Sequence, residues 1–207
     1  MTNDELSFQS LLKAENLKLK KKIDELEDSL LKVTQSIQLL FSGTTKSKNN
    51  FFDIIDNMIE SSNENLYIAS PKIDDYFTSK LINKAKSGLN IQIIINERRL
   101  LVSDDDDLYK KDKKVKKDDN NITEKKIDYT KNYDILKVTP RIDLINYPNV
   151  LFLLLINSSQ AFISGGWLEE SILKKKVLIG TLIKDLNKVS ELLNIYNELK
   201  PSFMRKI

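Results

Sequence analysis

Apolar residues near the start of the chain recur every seven positions in two registers, which is the pattern of a coiled-coil helix. Steps of three and four residues alternate between the registers, so they occupy the a and d positions of a heptad. Leucine dominates the d positions, and one asparagine at an a position favours two parallel helices in a fixed register. The predicted seam comprises Leu12, Asn16, Leu19, Ile23, Leu26, Leu30, Val33, Ile37 and Leu40. We therefore predict a coiled-coil dimerisation helix over residues 1–42.

Charges beside the seam support pairing with a second copy of this chain. Glu15 would face Lys20 of the partner helix, and Lys22 would face Glu27, so both pairs join opposite charges. These pairs permit a homodimer without requiring one. The alternative is a single amphipathic helix packed on its own domain, because three leucines lie off the seam: Leu11, Leu17 and Leu31.

After a polar linker over residues 43–50, short apolar runs alternate with amphipathic stretches, which predicts an α/β domain over residues 51–207. The spacing predicts helices over residues 51–62, 73–87 and 185–199. Apolar runs predict strands over residues 66–69, 91–95, 135–138, 143–145, 150–156, 160–163 and 177–183. The segment from 66 to 95 forms a β-α-β unit with parallel strands, residues 157–159 turn a hairpin, and residues 164–170 form a loop.

A charged segment interrupts this domain at residues 103–134 and is predicted to be a long disordered insertion, because it has few apolar residues and no period. An acidic run precedes six lysines, Lys110, Lys111, Lys113, Lys114, Lys116 and Lys117. One hypothesis makes these lysines an arm that binds the phosphate backbone of nucleic acid without reading its sequence. The other makes them a solvated run that its acidic flank neutralises, and we favour this second interpretation.

Composition narrows the possible chemistry, because the chain contains no histidine and no cysteine. Disulfides, thiolate metal sites, histidine-ligated zinc and Ser-His-Asp triads are therefore excluded. We expect neither a metal nor a cofactor. The longest apolar run, residues 150–156, is too short to span a membrane, and no signal peptide is visible at the first residues. We therefore expect a cytoplasmic protein.

The order of the predicted elements resembles a phospholipase D-like domain. Residues 65–95, NLYIASPKIDDYFTSKLINKAKSGLNIQIII, resemble its opening strand, Ser-Pro turn, helix and second strand. Residues 150–199, which begin VLFLLLINSSQAFISGGW, resemble its closing strands, Gly/Ser loop and final helix. The resemblance covers about residues 65–199 apart from the insertion. It implies a mixed sheet flanked by helices and preceded by the long coiled-coil helix.

The same resemblance implies that the catalytic residues are absent. The active family carries His-x-Lys, followed after four residues by Asp and then by a Gly-Ser turn. When Asn157 is aligned with the Asp, the His position falls on Val150 and the Lys position on Phe152. The Gly-Ser pair falls on Ser164 and Gly165 in inverted order. We therefore expect no enzyme activity, and an active phosphodiesterase or nuclease is the least favoured reading.

A coiled coil followed by such a domain is most similar to the archaeal TrmB-type transcription regulators, in which a winged helix precedes the coiled coil. This chain starts directly in the predicted coiled coil, so we expect no winged helix of its own. The resemblance implies a non-catalytic regulatory or scaffolding dimer, associated with transcription and able to pair with a DNA-binding partner protein. The alternative is the nucleic-acid binder that uses the lysine-rich insertion.

Ligands of open α/β sheets usually bind at the strand ends, where several polar side chains are expected to converge. These candidates are Ser70, Lys72, Asn157, Ser164 and Trp167. Trp167 could stack on a ligand ring, whereas the alternative, which we favour, makes it a packing residue and Asn157 a turn former. The adjacent carboxylates Glu169 and Glu170 are poor acid/base partners, because neighbouring side chains diverge.

Overall fold

The computed structural model describes residues 15–27, 29, 36–43, 50–101 and 128–201. The chain divides into two compact units, Met1–Gln38 and Leu39–Ile207. In the first unit, residues 15–27 form helix α1, and residues 29 and 36 are also helical. The predicted seam residues Asn16, Leu19, Ile23 and Leu26 are exposed on this helix. Three further predicted seam residues lie outside the described part of the chain: Leu12, Leu30 and Val33.

The prediction that the helix continues to residue 42 is wrong, because Ile37–Phe41 form strand β1. The seam positions assigned to Ile37 and Leu40 are therefore wrong as well. Leu40 is buried in the core of the second unit. The amide of Ser42 donates to the carbonyl of Leu178 at 3.0 Å. A short apolar run is compatible with both a helix and a strand. Here the stability gained by adding a strand to the sheet favours the strand.

Seven strands form one mixed sheet in the order β1-β7-β6-β5-β2-β3-β4. The remaining strands are β2 Asn65–Ser70, β3 Asn90–Asn96, β4 Ile142–Tyr147, β5 Phe152–Ile156, β6 Ala161–Gly165 and β7 Ile179–Ile183. Strands β2, β3 and β4 pair in parallel, whereas β5 pairs antiparallel with β2 and with β6, and β6 pairs antiparallel with β7. The predicted β-α-β unit and hairpin are confirmed.

Helices flank the sheet, and three of them were predicted from the apolar spacing. These are α2 Phe51–Ser61, α3 Asp75–Lys86 and α6 Leu186–Glu198. Each helix follows a capping residue whose side chain accepts a hydrogen bond from a helix amide. These capping residues are Asn50, Asp74 and Asp185. Such caps satisfy amides that have no partner within the helix.

Two further helices correct the sequence analysis. Helix α4, Thr130–Val138, replaces the predicted strand at residues 135–138 and the end of the predicted insertion. It forms because Tyr133 and Leu136, three residues apart, share one buried face. Helix α5, Glu170–Lys175, follows the predicted loop. Residues 102–127, which hold the rest of the insertion and all of its six lysines from Lys110 to Lys117, lie outside the described residues.

The sheet carries an apolar core on each face. The larger core receives side chains from α2, α3, α4 and α5, and the smaller one receives Val189 and Tyr196 from α6. Gly180 permits close packing in the larger core, since an added Cβ would lie 2.9 Å from the rings of Phe51 and Phe162. Those rings meet edge to face with centroids 5.1 Å apart. Within the described residues, no helix has the length and apolar character needed to cross a membrane.

Candidate functional site

Two distant segments meet where β2 ends, and a serine hydroxyl group joins them. Ser70 donates to the carbonyl of Lys72 at 2.6 Å and accepts from the amide of Leu168 at 3.0 Å. Ile73 forms a parallel bridge with Leu168. The hydrogen bonds of the Ser-Pro turn thus join the chain beyond the end of β2 to the segment beyond β6. They place residues 167–170 beside residues 70–74.

The carboxylate of Asp74 accepts hydrogen bonds from the first turns of two helices. Its Oδ1 accepts from the amide of Phe77 in α3 at 2.9 Å, and its Oδ2 accepts from the amide of Glu170 in α5 at 2.7 Å. Burial raises the pKa of Asp74, the two amide bonds oppose this effect, and the charges of Glu169 and Glu170 add to it. The net pKa lies above the ordinary value. This carboxyl group therefore organises the helix starts around the site.

Glu169 is the centre of the polar network and is only 9% exposed. Its carboxylate accepts from the hydroxyl of Tyr129 at 2.6 Å, from Nε1 of Trp167 at 2.7 Å and from the hydroxyl of Ser171. Burial favours a raised pKa, but these hydrogen bonds and the charge of Lys72 hold the pKa of Glu169 below its ordinary value. The carboxylate is therefore ionised at neutral pH.

Lys72 supplies the opposite charge and is also only 9% exposed. Its Nζ lies 5.1 Å from the ring centroid of Tyr129 and 4.8 Å from that of Trp167, which is cation–π geometry. Burial lowers the pKa of Lys72, and the nearby Glu169 partly opposes that shift. Burial and the hydrogen bond to Glu169 raise the pKa of Tyr129. We call this group the Lys72 cluster: Lys72, Tyr129, Trp167, Glu169 and Ser171.

A cleft of about 580 Å³ lies beside the Lys72 cluster, between the starts of α3, α4 and α5. Four carboxylates line it, together with Tyr76, Tyr129, Asn132 and two lysines of α5. Glu170 pairs with Lys174 at 2.6 Å, so part of this charge is already matched. The volume falls within the range of small-molecule sites. The cleft thus has several charged side chains on its lining, and the adjacent Lys72 cluster is held by hydrogen bonds.

The structure brings together three of the five predicted ligand residues, namely Ser70, Lys72 and Trp167. The prediction that Asn157 joins them is wrong. Strand β5 runs antiparallel to β2, with Leu154 opposite Ala69 and Ile156 opposite Tyr67, so Asn157 lies toward the other end of the sheet. Its Oδ1 accepts from the amides of Ser159 and Gln160, each at 3.0 Å, and so forms the hairpin turn.

Ser164 is the fifth predicted residue, and its hydroxyl group serves the sheet. It lies on β6 opposite Leu153, at the same end of the sheet as Ser70. The hydroxyl donates to the carbonyl of Ile179 on β7 at 3.1 Å. Ser164 therefore ties two strands together, and it is not one of the residues that form the Lys72 cluster.

Sequence reasoning missed Tyr129, Glu169 and Ser171. Tyr129 was placed in the insertion, although its spacing to Tyr133 is that of one helix face. Glu169 was paired with Glu170 and set aside because the two side chains would diverge. They do diverge, and this divergence sends Glu169 into the network while Glu170 pairs with α5. Within the described residues, no group of three or more carboxylates is placed to hold a metal ion.

Comparison with known proteins identifies the fold of this chain. No protein-family model matches the sequence, and no curated protein matches it. The structure is similar to that of NucT from Helicobacter pylori, with a TM-score of 0.54, 11% identity, 79% of this chain and 95% of that one covered. It is also similar to Nuc from Salmonella typhimurium, a phospholipase D family member, with a TM-score of 0.52, 11% identity, and 79% and 93% covered. The chain therefore has a phospholipase D-like fold.

A third similarity concerns TrmBL2, an archaeal chromatin protein, with a TM-score of 0.49 and 16% identity. It covers 93% of this chain and 64% of that one. This similarity is too weak to support an inference, so the resemblance to TrmB-type regulators remains a prediction from the sequence.

Proposed function

We propose that this chain is a non-catalytic regulatory or scaffolding module built on a phospholipase D-like fold. The observation that carries the proposal is the apolar character of the two positions aligned with the catalytic histidine and lysine. Val150 is only 3% exposed, and Phe152 begins strand β5. Because the chain contains no histidine, a second copy cannot supply the nucleophile either.

The contacts of Lys72 support a role of the cluster in stabilising the fold and recognising a ligand. Phosphodiester chemistry of this family uses a lysine to attract phosphate, whereas Lys72 faces a buried carboxylate and two aromatic rings. A cation whose charge is matched by Glu169 attracts an incoming anion less strongly. We infer that the cleft beside the cluster is the place where a small ligand is recognised without being cleaved.

Dimerisation through α1 is part of the same proposal. Leu19, Ile23 and Leu26 lie on one stripe of the helix and are 54%, 52% and 62% exposed. A stripe of this kind is covered when a second helix packs against it. The opposite charges predicted across the seam favour a second copy of this chain in parallel orientation. Association with transcription and with a DNA-binding partner protein is proposed from the sequence resemblance. A cytoplasmic location is proposed from the apolar pattern of the sequence.

A turnover assay tests the absence of catalysis. The purified full chain is incubated with bis(p-nitrophenyl) phosphate, and release of nitrophenol is followed beside a histidine-containing phospholipase D. We expect no release above the buffer blank. The matched variants are Lys72→Met in the cluster and Lys137→Met on the exposed face of α4. Turnover that Lys72→Met abolishes and Lys137→Met retains would overturn the proposal.

Sedimentation velocity tests the dimer. We expect a dimer for the full chain and a monomer for Ile23→Lys, because a charge in the seam opposes helix pairing. Lys21→Glu changes a charge on the outer face of the same helix and is expected to keep the dimer. A monomeric wild-type chain would refute the coiled coil.

The nucleic-acid alternative stays a prediction, because its lysines lie outside the described residues. Anisotropy of a labelled random-sequence duplex at two salt concentrations tests it, with the full chain and with residues 103–127 deleted. The deletion stops at 127 because Tyr129 and α4 belong to the folded domain. Salt-sensitive binding that the deletion removes would favour the alternative.

A further inference from the structure

The side chain of Asn132 presents an unused hydrogen-bond acceptor to the cleft. Asn132 lies in the first turn of α4, lines the cleft and is only 6% exposed. Its Nδ2 donates to the carbonyl of Ile73 at 3.1 Å, and because a carbonyl only accepts, this bond fixes the orientation of the amide. Among the residues that the structure describes, Oδ1 of Asn132 has no hydrogen-bond partner. An acceptor on so buried a side chain calls for a donor from a ligand.

The lining of the cleft carries more negative than positive charge. Four carboxylates face two lysines there, and Lys72 beside the cleft brings the positive charges to three. Lys174 already pairs with Glu170, and Lys72 faces Glu169. Asp75 in the first turn of α3 is exposed. The excess of carboxylates favours a ligand of positive charge.

An anion fits this cleft poorly, although helix starts commonly attract one. Asp74 already accepts the amide of Phe77 in α3 and the amide of Glu170 in α5, so a second anion would find these donors occupied. It would also lie beside the carboxylates of the lining. Within the described ranges, no three or more carboxylates are placed around a metal ion, which leaves the excess charge open to an organic cation.

The cleft also offers an aromatic surface and room for a small molecule. Tyr76 lines it and is 39% exposed, with its ring packed at 5.1 Å from the ring centroid of Phe52 and 5.1 Å from that of Phe77. Aromatic rings attract organic cations. The volume of about 580 Å³ suits a ligand of several carbon atoms.

We propose that the cleft binds an organic ammonium ion, which donates an N–H group to Oδ1 of Asn132 while the excess carboxylates balance its charge. This inference rests on the proposed function, which makes the cleft a place of ligand recognition, and it names the chemical class of the ligand.

Isothermal titration calorimetry of the full chain tests the ligand class, with 1,4-diaminobutane as the probe. Butane-1,4-diol has the same chain length without charge, and the bis(trimethylammonium) analogue has the same charge without an N–H donor. We expect the diamine to bind, the diol to give no saturable heat, and the trimethylated analogue to bind roughly tenfold more weakly or less, since it cannot donate to Asn132. Equal binding of the diamine and its trimethylated analogue would overturn the proposed hydrogen bond.

Variants locate the binding site. Asp75→Asn removes a charge from the cleft, and Asp53→Asn removes the same charge from the first turn of α2, outside the cleft. Asn132→Ala removes the acceptor, and Asp75→Asn keeps the site testable if that variant does not fold by circular dichroism. We expect Asp75→Asn and Asn132→Ala each to raise the dissociation constant of the diamine by roughly tenfold or more, and Asp53→Asn to leave it unchanged. An equal change in the two aspartate variants would show general charge attraction and would refute a site in the cleft.

Inorganic phosphate and glucose, titrated in the same way, separate this inference from the proposed function. Binding of either one in place of the diamine, weakened by Asn132→Ala, would refute the ammonium ligand and leave the cleft as a place of recognition. A diamine that does not bind, beside a chain without turnover, would refute the ammonium ligand alone. Turnover in the nitrophenyl phosphate assay by a chain that binds the diamine as expected would refute the non-catalytic function alone.

Discussion

Two buried lysines lie against aromatic rings in this protein, and different groups stabilise their charges. Lys72 lies between Tyr129 and Trp167, beside the ionised carboxylate of Glu169. Lys200 lies 5.7 Å from the ring centroid of Tyr67 and 5.2 Å from that of Tyr196.

Two amide oxygens accept hydrogen bonds from Lys200. Its Nζ donates to Oε1 of Gln92 at 2.5 Å and to Oδ1 of Asn197 at 2.6 Å. Lys200 also follows the end of α6, where the helix dipole favours a positive charge. The two sites therefore differ in the groups described beside each cation, a full negative charge beside Lys72 and amide dipoles beside Lys200. Removing the full charge is expected to cost more stability than removing one dipole contact.

The largest expected effect comes from Glu169→Ala. This variant leaves Lys72 buried without its carboxylate and removes the acceptor of three side-chain donors. We expect a loss of about 3–5 kcal/mol in the free energy of unfolding, measured by urea denaturation, which is the usual cost of breaking a buried ion pair. Glu169→Gln keeps an acceptor and should lose less. A loss below that of Lys200→Met would refute the role of the carboxylate.

Lys72→Met is expected to cost less, about 1–3 kcal/mol, because three donors still satisfy the remaining carboxylate. The double variant Lys72→Met, Glu169→Gln measures the coupling in the same urea experiment. We expect its loss to be smaller than the sum of the two single losses, because each single change leaves an unmatched partner. Strict additivity would show that the two charges do not interact.

Lys200→Met is the matched test in the second cluster and should cost about 1 kcal/mol, since neutral hydrogen bonds contribute little net stability. Gln92 and Asn197 are only half-buried, so water can replace the ammonium group. The readout is again urea denaturation. A loss as large as that of Glu169→Ala would contradict the expected difference between the two sites.

The smallest expected effect is a difference in acid sensitivity. The pKa of Glu169 is lower in the folded protein than its ordinary value of 4.5. Its contribution to stability is therefore complete above the ordinary pKa and is lost as the pH falls through the lowered pKa. Unfolding followed from neutral to acid pH should show a shallower loss for Glu169→Gln than for wild type. Identical slopes for Glu169→Gln and the wild type would contradict the assignment.

The sequence predicted the sheet better than its surroundings, and the reason is visible in particular residues. Strand β3, Asn90–Asn96, contains four isoleucines, and such apolar density is typical of a buried parallel sheet. Strand β1 was read as helix because Ile37 and Leu40 also fit the heptad. Helix α4 was not predicted, because its buried residues Tyr133 and Leu136 directly follow a charged run. That run makes the segment resemble a disordered insertion.

The candidate site was partly predictable for a similar reason. Lys72 and Trp167 were predictable because they lie near predicted strand ends, where ligands of open α/β sheets usually bind. Glu169 was not found, since its role depends on Tyr129, forty residues away in the chain. Contacts of this kind are set by the packing of α4 and α5 against the sheet, and local residue patterns carry no signal for them.

Asp74 gives the cluster a kinetic property as well. One carboxylate holds the first amide of α5 and an amide in the first turn of α3, although Asp74 and Glu170 lie 96 residues apart in the chain. When this side chain swings away, both amides lose their acceptor in the same event. Exchange of the Phe77 and Glu170 amides with deuterated water should therefore follow a common opening rate, so that the starts of two helices behave as one cooperative unit.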